Sequence, residues 1–257
     1  MKWKGSVVLI TGASRGIGRE IAVAAAKRGA RVGLMARSKD ELVDVLAACD
    51  GNGAVAVGDV GVRAQAEGAL TALQAELGPA DILVNNAGIG AYGPVVETSV
   101  DAFENMMRVN YLGTVYATKA VLPGMIQRGR GHLVMLASIA GRIGAPLEAG
   151  YSASKFAMVG FSEALAMEIK PKGLGLTIVD PGPVDTHFTE ARGAPFARST
   201  PKPVTPQAVA ELVMRAVERN KFEKFIPSWL GAATVFKAMF PPAYRIGTQR
   251  TFKKELT

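Results

Sequence analysis

Two residues four positions apart, Tyr151 and Lys155, have side chains that could carry out acid–base chemistry together. Residues at this spacing lie on one face of a helix, so the ammonium group of Lys155 would sit beside the phenol of Tyr151. A neighbouring positive charge favours the phenolate and lowers the pKa of a tyrosine from its reference value of about 10. The pair is therefore a candidate proton donor or acceptor.

A serine could assist this pair. Ser138 follows an apolar run that is typical of a buried strand, and its hydroxyl could hold a substrate oxygen. Each residue also has a structural interpretation when taken alone: Tyr151 as an amphipathic core residue, Lys155 as a solvated helix lysine and Ser138 as a cap at a strand end. The catalytic interpretation therefore depends on what else the chain contains.

A glycine-rich turn follows the first apolar run and precedes a helical pattern. Its sequence, Thr11-Gly12-Ala13-Ser14-Arg15-Gly16-Ile17-Gly18, has the spacing G-x-x-x-G-x-G. Glycines let a backbone turn tightly against a pyrophosphate, and a helix N-terminus supplies amides and a favourable dipole. A packing turn is the structural alternative, but the strand–turn–helix context favours a dinucleotide site that includes Gly12, Ser14, Arg15, Gly16, Ile17 and Gly18.

The end of the second apolar run indicates which dinucleotide is preferred. Sites for NAD tend to place an acidic residue there to bind the ribose hydroxyls. This chain has Arg37 and Ser38 instead, with no carboxylate before Asp40, and Arg15 can reach the same region. Two guanidinium groups favour a 2′-phosphate, so we expect NADP(H) rather than NAD(H), although both arginines could be solvated surface residues.

Short apolar runs alternate with helical patterns along most of the chain. The predicted strands are Val7–Ile10, Arg31–Ala36, Gly53–Val57, Asp81–Val84, His132–Ala137 and Leu174–Val179. The predicted helices are Gly18–Lys27, Lys39–Cys49, Arg63–Leu77, Val100–Arg128, Ser152–Ile169 and Gln207–Arg219. Continuous rather than alternating apolar strands are buried on both faces, which predicts a doubly wound α/β fold with a parallel sheet.

Composition excludes several classes of protein. Of the 257 residues 49% are hydrophobic and 20% are charged, which is unlike a disordered chain. One cysteine cannot form an internal disulfide, and with two histidines it argues against a metal site. No apolar run is long enough to span a membrane, and the N-terminus does not fit a secretory signal. We therefore expect a cytoplasmic protein in one domain over residues 1–257.

Two segments near the C-terminus depart from the regular alternation. Residues 181–206 contain six prolines, which is typical of a long lid or binding loop, with room for a short helix. Residues 221–257 hold seven Lys and Arg against two Glu, which is +5 of the net +8. Because apolar residues interleave with these charges, the segment could contact a membrane surface or form a mouth for lipophilic substrates. The alternative is that residues 221–257 pack on the rest of the protein or on a partner subunit. No nucleic-acid-binding motif is present.

Several motifs together resemble the short-chain dehydrogenase/reductase family over about residues 5–220. Besides the glycine turn, they are Asp59-Val60, Asn85-Asn86-Ala87-Gly88, Asn110, Ser138, Tyr151-Ser152-Ala153-Ser154-Lys155 and Pro181-Gly182-Pro183-Val184-Asp185-Thr186. The resemblance implies a Rossmann-type sheet of about seven strands flanked by helices. It also implies an Asn–Ser–Tyr–Lys catalytic tetrad of Asn110, Ser138, Tyr151 and Lys155.

The resemblance assigns further roles. Lys155 would also bind the nicotinamide ribose, Asn110 would hold a water in a proton relay to Lys155, and Thr186 would contact the nicotinamide carboxamide. Asp59 and Val60 would contact the adenine. The remaining cofactor contacts would come from Asn86, Ala87, Gly88, Pro181, Gly182, Val184 and Tyr151.

From these residues we expect a reductase that moves a hydride between NADPH and a carbonyl or secondary alcohol of a lipophilic small molecule. A non-catalytic NADP(H)-binding sensor on the same fold is the alternative, and an intact tetrad argues against it. The resemblance also implies a homodimer through the helices of residues 100–127 and 152–169, or a homotetramer. The V-D-G-G-like ending that accompanies the tetramer is missing here.

Overall fold

The structure, a computed structural model, describes residues 1–193 and 201–256, and of residues 254–256 it describes the backbone alone. A seven-stranded sheet forms its centre, with the strands in the order β3-β2-β1-β4-β5-β6-β7 and every neighbouring pair parallel. The strands are β1 (Val7–Thr11), β2 (Arg31–Ala36), β3 (Gly53–Val57), β4 (Ile82–Asn85), β5 (His132–Leu136), β6 (Gly175–Pro181) and β7 (Glu223–Ile226).

Helices cover both faces of the sheet. They are α1 (Gly16–Ala26), α2 (Lys39–Ala47), α3 (Arg63–Leu77), α4 (Val100–Met106), α5 (Gly113–Arg128), α6 (Ala149–Ile169), α7 (Phe188–Ala191), α8 (Pro206–Glu218), α9 (Leu230–Met239) and α10 (Pro241–Leu256). One core lies between the sheet and α3, α5 and α6, and the other between the sheet and α1, α2 and α8. The predicted doubly wound parallel α/β fold is confirmed.

The strand order places a crevice between β1 and β4. The chain runs outward from β1 through β2 to β3 and then returns to build β4 on the other side of β1. The connections leave the sheet in opposite directions at this point, and ligands of open α/β sheets bind outside the carboxyl ends of the strands there. The glycine turn after β1 and the segment after β4 both lie at this crevice.

The structure refines several predicted boundaries. The seventh strand, β7, lies inside the predicted C-terminal segment 221–257 and has no long apolar run because it is a half-buried edge strand. Helix α6 begins at Ala149 rather than Ser152, so Tyr151 lies in its first turn. The predicted helical region 100–128 is continuous, with a π-helical turn over Met107–Leu112 joining α4 to α5.

The loop after β6 contains a short helix, as the sequence allowed. Helix α7 occupies Phe188–Ala191, and Val184 forms an isolated bridge with Val204. Residues 194–200 of the predicted lid loop, which include Pro195, lie outside the described residues. In the described parts of the chain, no helix combines the length and apolarity that crossing a bilayer requires.

Candidate active site

The glycine turn is held against the segment that follows β4. The side chain of Asn86 donates from Nδ2 to the carbonyl oxygens of Thr11 and Gly12, at 3.0 Å each. A Cβ at Gly18 would lie 2.3 Å from the Gly12 carbonyl oxygen and 2.5 Å from Nδ2 of Asn86. Gly18 is therefore required for this close approach, and Asn86 fixes the shape of the turn with its side chain.

The start of α1 fits an anionic ligand. In the part of the chain that the structure describes, no side chain caps this end of α1, and its first turn holds no acidic residue. Its amides are therefore available for the pyrophosphate of a dinucleotide. Thr186 approaches from the loop after β6, where its methyl group would lie 3.4 Å from a Cβ at Gly16. The two predicted cofactor segments thus meet across the crevice.

The predicted 2′-phosphate region contains a carboxylate that the sequence analysis did not consider. Arg15 pairs with Glu41 of α2 at 2.6 Å, and the Arg15 side chain is 61% exposed. Although burial raises it, hydrogen bonds from Ser14 and Arg15 hold the pKa of Glu41 below its ordinary value. Arg37 is exposed at the end of β2. An exposed ion pair is weak, so a phosphate could displace Glu41 from Arg15.

Asp59 and Val60, predicted to contact the adenine, have different surroundings. Asp59 accepts a hydrogen bond from the backbone amide of Gly61 at 2.8 Å, which closes the turn after β3. The Val60 side chain is 7% exposed and packs beside Gly113 at the start of α5. A contact between Val60 and an adenine would therefore involve its backbone.

Ser138 and Tyr151 meet at the carboxyl end of β5. Ser138 caps a short 3₁₀ turn, accepting from the amide of Ala140 at 3.2 Å. Burial raises the pKa of Tyr151 to about 12, although a hydrogen bond with Ser138 lowers it. This direction is opposite to our prediction, because the loss of solvation outweighs the hydrogen bond with Ser138, and the charge of Asp180 raises the pKa further. Tyr151 is therefore a neutral phenol, which suits donation of a proton.

The Lys155 side chain is buried beside Tyr151. Its Nζ lies 5.8 Å from the centroid of the Tyr151 ring and donates to the carbonyl oxygen of Leu136 at 2.7 Å. Burial lowers the pKa of Lys155 to about 8, against the charge of Asp180, which raises it. Lys155 can therefore gain and lose a proton near physiological pH, as a proton relay requires.

Asn110 is fully buried in the π-helical turn and joins three segments. Its Oδ1 accepts from the Ile89 amide at 2.8 Å, and its Nδ2 donates to the Ile89 carbonyl oxygen at 2.9 Å and to Ser154 Oγ at 2.8 Å. A Cβ at Gly88 would lie 3.4 Å from Asn110 Oδ1 and 3.6 Å from Lys155 Nζ. The structure thus brings Asn110 and Lys155 together around Gly88, with the Asn110 amide positioning the backbone.

Residues 188–192 of the loop after β6, called the lid segment below, pack against Tyr151. The ring centroid of Phe188, in α7, lies 5.4 Å from that of Tyr151. Arg192 forms an ion pair with Glu148, which precedes α6, and its guanidinium lies 5.0 Å from the Tyr92 ring centroid. The Arg192 and Glu148 side chains are 9% and 10% exposed. This buried pair anchors the lid segment beside the predicted catalytic residues.

Sequence reasoning missed four residues of this region: Phe188, Arg192, Glu148 and Asp180. Asp180 and Glu148 carried a detectable signal. Asp180 is a carboxylate within the last three residues of a buried strand. Glu148 lies three positions before Tyr151. Phe188 and Arg192 lie in a proline-rich loop whose path no local pattern predicts.

The chain is similar to proteins of one known family. Residues 6–195 match the short chain dehydrogenase family. A curated relative, 3-dehydrosphinganine reductase of Danio rerio, is 37% identical over 88% of this chain and 73% of its own length.

Two solved structures have the same fold. A short chain dehydrogenase/reductase from Burkholderia phymatum in complex with NAD has a TM-score of 0.85 and 25% identity, over 93% of this chain and 95% of its own. An alcohol dehydrogenase from Thermococcus sibiricus with 5-hydroxy-NADP has a TM-score of 0.79 and 28% identity, over 86% and 96%. The glycine turn and the Ser138, Tyr151 and Lys155 cluster therefore lie on a fold that binds nicotinamide dinucleotides in its solved neighbours.

Proposed function

The chain belongs to the short-chain dehydrogenase family and is an oxidoreductase of small molecules, and we propose that it is an NADP(H)-dependent carbonyl reductase with a lipophilic substrate. The observation that carries this proposal is the meeting of Ser138, Tyr151 and Lys155 at the carboxyl end of β5, beside the crevice that the glycine turn lines. These are the groups that reduction of a carbonyl requires.

The dinucleotide, when bound, supplies the hydride that adds to the carbonyl carbon. Ser138 donates a hydrogen bond to the carbonyl oxygen and stabilises the negative charge that develops there. The Tyr151 hydroxyl gives its proton to that oxygen, which completes the alcohol. Lys155 then returns a proton to Tyr151, directly or through the relay that Asn110 supports. The reverse sequence oxidises an alcohol.

The surroundings of Tyr151 support an apolar substrate. Phe188 lies against the Tyr151 ring, and the nearby charged pair of Arg192 and Glu148 is neutral as a whole. An aromatic wall of this kind favours hydrocarbon next to the reacting carbonyl. The name of the zebrafish relative, a reductase of 3-dehydrosphinganine, supports the same substrate class.

The proposal is tested by NADPH oxidation with carbonyl compounds graded from small and polar to long-chain, and with NADH in parallel. We expect turnover with NADPH that increases with chain length. Binding of NADPH with no turnover across the whole panel would favour the non-catalytic sensor instead. Turnover that is equal for NADH and NADPH would contradict the cofactor assignment.

We further propose that the protein is cytoplasmic and that α9 and α10 contact an anionic membrane surface peripherally. Six apolar side chains in this region are each at least 46% exposed: Trp229, Val235, Phe236, Met239, Phe240 and Ile246. No acidic residue occurs between Glu223 and Glu255, whereas six basic residues do: Lys224, Lys237, Arg245, Arg250, Lys253 and Lys254. Exposed aromatic side chains in a segment rich in Lys and Arg complement anionic headgroups above hydrocarbon.

Co-sedimentation with vesicles tests this contact. We expect binding to phosphatidylcholine vesicles that contain phosphatidylserine, weaker binding without it, and loss of binding in Val235→Glu. Val57→Glu is the matched control, because Val57 is 53% exposed and Val235 is 57% exposed. Equal behaviour of the two variants, or a Val235→Glu variant that changes only the molar mass in solution, would contradict membrane contact and favour a subunit interface.

We also propose a homodimer through α5 and α6. The outer faces of these helices carry exposed Ile126, Phe156 and Met167, and Met167 is 72% exposed. Apolar side chains of this kind are favourable when a second copy covers them. Light scattering after gel filtration should give twice the chain mass, and Met167→Glu should reduce it. A monomeric wild-type protein would exclude the dimer.

A further inference from the structure

Asp180 is a fully buried carboxylate directly behind the active site. Its side chain has no solvent exposure, and it lies in β6 just before the loop of Pro181 and Gly182. Side chains alternate between the faces of a strand, and Leu176 and Ile178 of the same strand pack in the core beneath α6. Asp180 therefore points towards the face that α6 covers, which is the helix that carries Tyr151 and Lys155.

The cluster around Asp180 holds more negative than positive charge. Asp180 Oδ2 accepts from Arg142 Nε at 3.4 Å, and Arg142 also pairs with Glu163 of α6 and Glu223 of β7. Lys237 of α9 donates to the carbonyl oxygen of Arg142 at 2.8 Å and brings a second positive charge. Two cations therefore face three carboxylates, and one negative charge is left without compensation.

Asp180 is also the member of this cluster with an unused oxygen. Its Oδ1 is buried and has no hydrogen-bond partner among the described residues. Burial raises the pKa of Asp180 to about 7, and Glu223 raises it further, whereas Arg142 and Lys155 lower it. A buried carboxylate with one long contact needs another cation close by if it is to stay ionised.

Lys155 lies where that cation is needed. Its Nζ donates to the Leu136 carbonyl oxygen, and Leu136 pairs in the sheet with Val179, the residue before Asp180. The charge of Asp180 acts on both Lys155 and Tyr151 and raises the pKa of each. With Lys155 included, three cations balance the three carboxylates.

We propose that Asp180 is a positioning residue of the active site: its carboxylate is the buried counter-charge that keeps Lys155 in the ammonium form beside Tyr151. An ammonium group can donate a hydrogen bond to a ribose hydroxyl and can return a proton to the tyrosine. A neutral amine is a weaker donor and lacks the proton to return. The role in catalysis rests on the proposed reductase activity. The electrostatic pairing does not, and it can be measured without substrate or cofactor.

The direct test is the pKa of Lys155 in protein labelled with ¹³C at the lysine ε-carbon, with Lys155→Arg used to assign the signal. Asp180→Asn should lower this pKa by about one unit, the shift that removal of a nearby opposite charge produces. Glu223→Gln is the control, since it removes a carboxylate from the same cluster on the far side of Arg142, and it should leave the Lys155 pKa within a few tenths of a unit. An unchanged pKa in folded Asp180→Asn would overturn the proposal.

A second measurement needs no substitution at Asp180. In the wild-type protein the Lys155 signal should titrate in two steps, one of them at the pH where the Asp180 carboxyl carbon titrates. A single step, independent of Asp180, would contradict the proposal even if Asp180→Asn did not fold. When activity is available, the alkaline limb of kcat/KM should move to lower pH in Asp180→Asn and stay in place in Glu223→Gln. A fall in activity with an unmoved limb would indicate a merely structural role.

Discussion

The ring of Phe188 lies against the ring of Tyr151, with centroids 5.4 Å apart and an angle of 52° between the planes. Phe188 comes from the loop after β6, whereas Tyr151 comes from the first turn of α6. The loop therefore supplies an apolar wall beside the residue that we propose as the proton donor. In the proposed mechanism, this contact links proton donation by Tyr151 to the choice of substrate.

Phe188→Ala should reduce the preference for lipophilic substrates. Phe188 is partly buried, and removal of its ring loses about 1.5 kcal/mol of apolar contact with a bound hydrocarbon chain, so kcat/KM for a long-chain ketone should fall about tenfold. A small polar carbonyl compound should be affected much less. Phe222→Ala, at an exposed position outside the site, is the control. An equal fall for all substrates would mean that Phe188 stabilises the fold rather than the substrate.

Arg37→Ala should weaken the binding of NADPH and leave the binding of NADH unchanged. A hydrogen bond to a charged group contributes about 1.5–3 kcal/mol, so the KM for NADPH should rise at least tenfold. Arg63→Ala is the matched control, because Arg63 is an exposed arginine on α3, 68% accessible and outside the crevice. If both cofactors lost affinity equally, Arg37 would not contact a 2′-phosphate.

Two glycine substitutions should affect different properties: Gly18→Ala should weaken NADPH binding, whereas Gly68→Ala should stabilise the fold. Gly18→Ala places a Cβ 2.3 Å from the Gly12 carbonyl oxygen, so the turn must open and fluorescence titration should show NADPH affinity reduced at least tenfold. Gly68→Ala in α3 meets nothing within 4 Å. It should raise the free energy of unfolding by about 0.5–1 kcal/mol, because alanine is the better helix former. Normal NADPH affinity in Gly18→Ala would exclude the proposed cradle.

The stability of the protein should depend on pH through His132. Burial lowers the pKa of His132 to about 4 in the folded protein, where Nε2 contacts Thr177 Oγ1 at 2.8 Å. The unfolded chain takes up this proton near pH 6.5, so stability is complete above about pH 6.5 and falls as the pH drops towards 4, by at most about 3 kcal/mol.

Urea unfolding between these pH values measures this dependence. In the control His187→Gln, the free energy of unfolding should depend on pH as in the wild type, since His187 is 74% exposed. In His132→Gln this dependence on pH should be much weaker. A wild-type slope in folded His132→Gln would assign the pH dependence to other groups.

The sequence was sufficient to predict the fold because buried parallel strands are continuous apolar runs and the helices between them are regular. It did not locate β7, since Glu223 and Lys224 give this edge strand a polar sequence. The proximity of Tyr151 and Lys155 was predictable, because a spacing of four residues places both side chains on one face of a helix. The direction of the Tyr151 pKa was not, because desolvation depends on what the fold packs around the ring.

Long-range pairs account for the remaining differences. Arg192 meets Glu148, and Arg142 meets Asp180 and Glu223, through segments far apart in the chain. No local pattern contains that information. These pairs are nevertheless the groups that hold the lid and set the charge behind Lys155.

The most direct test of the central claim compares wild-type protein with Tyr151→Phe in the reduction of a long-chain ketone by NADPH, with Tyr244→Phe as control. We predict a rate loss of about 10²–10⁴-fold in Tyr151→Phe, the usual contribution of a general acid, with NADPH affinity within a factor of about two and the control unaffected. Undiminished turnover in Tyr151→Phe would contradict the assignment of Tyr151 as the proton donor, and with it the proposed mechanism.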